Sequence, residues 1–213
     1  LPNRRSVSLL QLKKLMSISD NLAELNAERF ANWNAPMSLS QTKQAVLAFQ
    51  GDVYLGLEAE TFSEEDFSFA QDHLCILSGL YGILRPLDRI QPYRLEMGTS
   101  LKVTAKKTNL YKHWGDRVTE ALNVMMAERN DEILINLASQ EYFHVLNSKL
   151  IKARIITPIF KDWKNGQYKV ISFFAKKARG LMSSYILRNQ ISDPEEIKDF
   201  VTGGYSFNSE LSE

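Results

Sequence analysis

The sequence predicts a mixed α/β fold of the α+β kind, in a single domain. Three observations carry that reading. Stretches such as 6–27 and 110–129 place apolar residues at helical spacing. Short apolar runs, Ile133-Leu134-Ile135-Asn136-Leu137-Ala138 above all, read as buried strands. Asn165-Gly166 sits between two further strand-like runs, and both residue types accept positive φ, which is a strong hairpin signal. No repeat, low-complexity segment or linker divides the 213 residues, a length that supports a sizeable core.

Taken in order, residues 6–27 form an amphipathic helix with Leu9, Leu12, Leu15, Met16, Ile18, Leu22 and Leu25 inward and Ser6 or Ser8 as cap. A second helix follows Ser38 and runs to Phe49. Gly51 ends it, and Asp52-Val53-Tyr54 begins something extended. Ser63 followed by Glu64, Glu65 and Asp66 is a helix start, because carboxylates complement the N-terminal dipole. That helix reaches about Ser78. Leu101 to Lys107 is a basic loop or edge strand. Asn109 caps a helix from Leu110 to about Arg129. After the 133–138 strand, Ser139 caps a short helix, Gln140 to Leu146. Strands at Ile155–Asp162 and Gln167–Phe174 form an antiparallel hairpin joined to a mixed, largely buried sheet. A helix spans Ala175 to Asn189, and Pro194 opens a last short one.

Composition narrows the function. Hydrophobic residues make up 44% and charged residues 24%, as in ordinary globular proteins. A net charge of +1 means that any basic surface arises by local segregation. The lone Cys75 excludes an internal disulfide and suits a reducing compartment. No apolar run approaches the roughly 18 residues of a spanning helix, and no signal peptide is visible.

The stretch 77–99 organises the chain. Gly79 and Gly82 lie three apart, Pro86 drives Arg85 out of the α region, and Arg85, Arg89 and Arg94 face only Asp88 and Glu96 in opposition. Gly79-Leu80-Tyr81-Gly82-Ile83-Leu84-Arg85-Pro86-Leu87-Asp88, continued by Pro92-Tyr93-Arg94-Leu95-Glu96-Met97-Gly98, resembles the YaaA peroxide-stress resistance family of bacterial cytosolic proteins. Further matching stretches keep the family's order: Phe49 to Tyr54, Phe62 to Ala70, Trp114-Gly115-Asp116, Leu134 to Phe143, and Phe174 to Gly180. The chain opens at Leu1 without the family's leading Ser-Pro-Ala-Lys stretch, so the expectation is an N-terminally incomplete domain. The resemblance implies a cytoplasmic protein that limits hydrogen peroxide damage and takes part in iron homeostasis. It also implies DNA binding through a helix-hairpin-helix-like element, placed here near 70–95 with Gly79–Gly82 as its hairpin. The usual element has its glycines two apart.

The clearest physical oddity is Lys176-Lys177-Ala178-Arg179-Gly180, read as the first turn of a helix after a strand. Cations there oppose the helix dipole unless an anion binds. Residues 164–188 carry Lys164, Lys169, Lys176, Lys177, Arg179 and Arg188 and no acid. The binding reading therefore has Arg85, Arg94, Lys176, Lys177 and Arg179 on phosphates. Gly79, Gly82 and Gly180 admit the backbone to the ligand, and Tyr93 stacks or bonds to a sugar. The partner is duplex or branched DNA bound without sequence preference, by a monomer and with no membrane contact. Stretches 79–107 and 164–188 would share one basic cleft. The alternative is an enzyme acting on a phosphate-bearing, nucleotide-like substrate in that cleft. Its candidate catalytic residues are Asp52, Glu96, Asn136, Ser139 and Glu141. An iron-binding reading ranks last: His73, His113 and His144 lie far apart, and Glu141-Tyr142-Phe143-His144 is one Glu-x-x-His where a di-iron site needs two. No cofactor or metal is expected.

Overall fold

The computed structural model describes residues 7–33 and 37–212. Helix α1 (Leu9–Met16) starts at a capping box, with the Ser8 hydroxyl accepting the Gln11 N–H and the Gln11 side chain accepting the Ser8 N–H. Ser17 then turns left-handed (φ 52°), and Ser19 caps α2 (Asp20–Asn32). The predicted 6–27 helix is thus two helices, because serines at 17 and 19 suit turns and caps better than a helix interior. Leu12, Met16, Ile18 and Ala23 are buried between them, whereas Leu9, Leu22 and Leu25 are exposed. Ser6 lies outside the described residues.

The next segment departs from the expected long helix. A 3-10 turn (Leu39–Gln41) leads into β1 (Lys43–Gln44) and the single-turn α3 (Ala45–Ala48). Gly51, at φ 124°, redirects the chain into α4 (Asp52–Leu57), where an extended run was expected. Asp52 stands in the first turn of α4, as the dipole favours. After a 3-10 turn (Ala59–Thr61), α5 (Glu64–His73) begins at a Ser63–Asp66 capping box. It ends earlier than expected. Leu74 is extended, and Ile76 and Ser78 are buried while Leu77 between them is less so, the period of a strand.

That strand, β2 (Ile76–Ser78), pairs antiparallel with β3 (Gly82–Leu84). The Gly79–Gly82 turn therefore joins two strands, and the next helix begins only at Leu110. This corrects the helix-hairpin-helix expectation for 70–95. The reason is the alternating apolar pattern on both sides of the turn. β4 (Arg89–Ile90) pairs with β1, and the Pro86 and Asp88 carbonyls accept the Val46 and Ala45 N–H groups, which docks the 85–88 turn on α3.

The expected 110–129 helix breaks at Gly115 (φ 53°) into α6 (Leu110–Trp114) and α7 (Arg117–Arg129). β5 (Ile133–Ile135) leads through Asn136 to the one-turn α8 (Gln140–Phe143). β6 (Arg154–Ile156) runs parallel to β5. The hairpin is shorter than predicted: β7 (Asp162–Lys164) and β8 (Gln167–Lys169) flank Asn165 (φ 54°) and Gly166 (φ 78°). Ile155 belongs to the parallel pair, and Phe173 and Phe174 to the following helix. No single mixed sheet forms among the described residues; its place is taken by four two-stranded ladders.

Helix α9 (Ser172–Arg188) begins three residues before the expected start. It crosses α4 so closely that a Cβ on Gly180 would lie 1.9 Å from the Val53 carbonyl oxygen. A Cβ on Gly56 would lie 2.3 Å from that of Lys177. Gly180 therefore serves helix packing, which corrects its assignment to ligand approach. Past α9, a 3-10 turn (Pro194–Asp199) places Phe200 against Phe160, with ring centroids 6.2 Å apart.

The crossing generates a prediction. Gly180→Ala forces the helices apart and lowers the unfolding free energy by about 1–3 kcal/mol or more, read by urea denaturation. An unchanged midpoint would show that the crossing is not tight.

Candidate functional site

The turn at 79–82 is packed against protein. A Cβ on Gly79 would meet the Leu95 carbonyl oxygen at 2.5 Å, and one on Gly82 (φ 80°) would meet the Trp114 ring at 2.9 Å. Trp114 Nε1 donates to the Gly79 carbonyl at 3.1 Å. These glycines admit the 91–98 segment and an indole, so their assignment to ligand approach is also corrected.

The 91–98 segment carries a group of phenols. Tyr93 and Ser78 share a hydrogen bond of 2.5 Å, and the Ser78 oxygen also accepts the Tyr81 N–H at 2.9 Å. Phe49 stacks on Tyr54 (5.5 Å between centroids) and meets Tyr93 edge-on (5.9 Å); Tyr81 meets Tyr93 likewise (5.5 Å). Burial pushes the Tyr54 and Tyr93 phenols well above the usual tyrosine range. Burial first, then the Glu141 and Glu96 carboxylates, push Tyr142 up to about 12. Tyr93 was expected on the ligand; the structure makes it part of this inner group.

At its rim, Arg94 pairs with Glu96 at 2.7 Å, while the buried Arg94 Nε has no partner. Glu141 accepts the Gly98 N–H at 2.8 Å, and Tyr111 donates to the Glu141 carbonyl at 2.9 Å. The fold thus brings Glu96 and Glu141 together around Tyr142, although 45 positions separate them in sequence. Tyr54, Ser78 and Tyr142 were missed as site residues. Their only sequence signal was membership of the stretches that carry the family resemblance.

The other catalytic candidates have structural partners. Ser139 caps α8 by accepting the Tyr142 N–H at 3.4 Å. Asn136 accepts the Ala138 N–H at 3.1 Å, and its amide donates to Thr157 at 3.3 Å. Asp52 sits at the start of α4, one turn from Gly56. The Cys75 thiol is pushed up by burial and donates to the Met125 sulfur at 3.8 Å, a packed and inert arrangement.

The cations divide into paired and unpaired sets. Arg85 reaches Glu128 at 3.3 Å and accepts no freedom from its backbone, whose N–H is bonded to Asp88 at 2.7 Å. Arg188 is scaffold: it lies 3.8 Å from Asp66, bonds to Thr61 and covers the Phe62 ring at 4.9 Å. Arg179 is half-buried, donates to the Ala175 carbonyl at 3.2 Å, and has its pKa lowered by that burial. Lys176 and Lys177 are exposed. They stand in the second turn of α9 and not the first, because the helix starts at Ser172; the dipole cost expected for them is correspondingly smaller. No side chain caps α9, so its first N–H groups face outward without a protein side-chain acceptor. Helix α4 lies between the two basic stretches: Val53 meets Gly180, and Tyr54 meets Phe49 beside Tyr93.

Two concavities adjoin these elements. One, of about 210 Å³, is lined by Trp33, Gly79, Tyr81, Leu95 and His113 among others, and the buried His113 Nδ1 has no partner. The other is an open groove of about 590 Å³ whose charged lining residues are Glu64 and Asp72, the wrong sign for an anion. Among the described residues no group of three or more His, Cys, Asp or Glu is placed to hold a metal ion. No described helix is long and apolar enough to cross a membrane.

Comparison with known proteins gives one family: the model of the peroxide stress protein YaaA matches residues 3–211. Among curated proteins, the UPF0246 protein RSc2009 of Ralstonia nicotianae is 56% identical over 209 residues, covering 98% of this chain and 81% of that protein.

The phenol group predicts a pH dependence. Folding raises the Tyr142 pKa above the ordinary tyrosine value of about 10, so the fold favours the protonated phenol. Stability is full below that value and falls as pH rises through about 12, with Tyr54 and Tyr93 adding in the same sense. Urea unfolding at several alkaline pH values should show the fall, and Tyr142→Phe should flatten part of it. A mutant profile that superimposes on wild type would refute the assignment.

Proposed function

The chain belongs to the peroxide stress protein YaaA family, and from that membership we propose that it protects the cytoplasm against peroxide by binding DNA, duplex or branched, without sequence preference. In this reading it acts as a monomer and limits iron-dependent damage at the DNA it covers. The observation that carries the reading is the acid-free run 164–188. Lys164, Lys169, Lys176 and Lys177 are exposed there, and among the described residues none of them is in an ion pair. The uncapped start of α9 adds N–H donors of the kind that accept phosphate oxygens. Arg85 and Arg94 contribute less, since each must exchange a carboxylate for a phosphate.

Such a surface neutralises phosphates and reads no bases, so affinity follows salt. With four lysines engaged, the log–log slope against sodium chloride should be roughly −4. Lys176→Gln with Lys177→Gln should reduce that slope by about two and weaken binding to unrelated duplexes equally, while the thermal midpoint stays put. No binding by wild type at low salt would discard the reading.

A second reading has its own observation. Glu96, Glu141 and Tyr142 converge beside the partnerless Arg94 Nε, a constellation suited to an enzyme acting on a phosphate-bearing, nucleotide-like substrate. Titration calorimetry with nucleoside phosphates distinguishes it: here Arg94→Gln, and not the lysine pair, should abolish heat.

A further inference from the structure

Hairpin β7–β8 and the first turn of α9 expose a set of rings that the core does not use. Trp163 is 65% exposed, Phe173 59%, and Tyr168 and Phe174 49% each. Trp163 and Tyr168 are register partners across the hairpin, with centroids 5.0 Å apart, and Phe173 and Phe174 lie 5.8 Å apart. Large rings left in water in one stretch mark a contact surface.

The hairpin is held at its root. Tyr205 donates to the Asp162 carboxylate, at 3.0 Å from each oxygen, and packs edge-on against Phe160 at 5.3 Å. The one carboxylate on the hairpin is thereby occupied, and the rest of the surface is cationic. The order of rings and charges is informative. Lys164 follows Trp163, Lys169 follows Tyr168, and Lys176 comes two residues after Phe174. A surface built to lie on lipid separates its apolar face from its charged one. Here the two alternate, as bases and phosphates alternate along a strand.

We propose that this face binds unpaired nucleotides of single-stranded DNA, with bases stacked on Trp163, Tyr168 and the Phe173–Phe174 pair and phosphates met by the neighbouring lysines. The proposal rests on the DNA-binding reading and adds which form of DNA and which residues. Stacking needs open base faces, which a duplex hides and a single strand or an unpaired branch point offers.

The test uses the whole chain with a 20-nucleotide oligothymidylate and a blunt duplex of equal length. Trp163→Ala with Tyr168→Ala should weaken oligothymidylate binding tenfold or more. It should leave the duplex affinity, the salt slope and the thermal midpoint unchanged. Trp163→Phe with Tyr168→Phe keeps the rings and should restore binding. Lys176→Gln with Lys177→Gln should weaken both forms and flatten the slope. Oligothymidylate affinity indifferent to the alanine pair overturns the stacking proposal and leaves the duplex reading standing. Binding of neither form overturns both. Capture by phosphatidylserine vesicles that depends on Trp163 and Tyr168, with oligothymidylate binding unaffected, overturns it in favour of a lipid surface.

Discussion

Helix α9 approaches α4 at a separation that only glycine permits on both sides, and most of the molecule takes its place from that crossing. With Gly180 against the Val53 carbonyl and Gly56 against that of Lys177, backbone meets backbone without side chains between. Close packing of this kind gains many small dispersion contacts and leaves no slack. The consequences run along both helices. Tyr54, two residues from Gly56, is pressed on Phe49 and so enters the phenol group around Tyr93. At the far end of α9, Leu187 joins the core that also holds Ala45, Leu57 and Ala70, while Arg188 closes over Phe62. Near its start, Ala175 and Ala178 turn inward with Phe160 and Phe200, and Lys176 and Lys177 are left outward.

The same constraint separates scaffold from surface within one sequence stretch. Lys176-Lys177-Ala178-Arg179-Gly180 looks like a single motif, yet its members do different jobs. Gly180 is buried in the crossing, Ala178 in the core, Arg179 half-buried along its own helix, and only the two lysines are free to meet a ligand. The 77–99 stretch divides in a comparable way. Its glycines accept Trp114 and the Leu95 backbone, Pro86 and Asp88 dock the chain on α3, and Arg94 with Glu96 forms the rim of a polar pocket. Residues that look like ligand-binding glycines thus hold the wall against which the tyrosines pack.

The two candidate surfaces differ in physical character. Around Tyr142 the groups are buried and mutually hydrogen-bonded, and their protons are held by desolvation. Around the β7–β8 hairpin the groups are exposed, and the charges have no internal partners. The first arrangement favours stability and, where a substrate fits, chemistry. The second favours association driven by counterion release and ring contact.

Local signals in the sequence determined a good part of this protein. Serine caps at 8, 63 and 139, the Asn109 cap, the Asn165-Gly166 turn and the acid-free run at 164–188 are all present as read, because each depends on chemistry within a few residues. The family resemblance was legible for the same reason, since it is carried by contiguous residues. Tertiary structure decided the rest. Apolar periodicity across 6–27 and 110–129 did not reveal the breaks at Ser17 and Gly115, which positive φ and packing impose. Asp52-Val53-Tyr54 became helical because its partner is α9, more than a hundred residues away. The pairing of β5 with β6, the meeting of Glu96 with Glu141, and the meaning of Gly180 likewise rest on contacts between distant parts of the chain. A glycine in a sequence announces only that space is needed; what fills the space is settled when the helices meet.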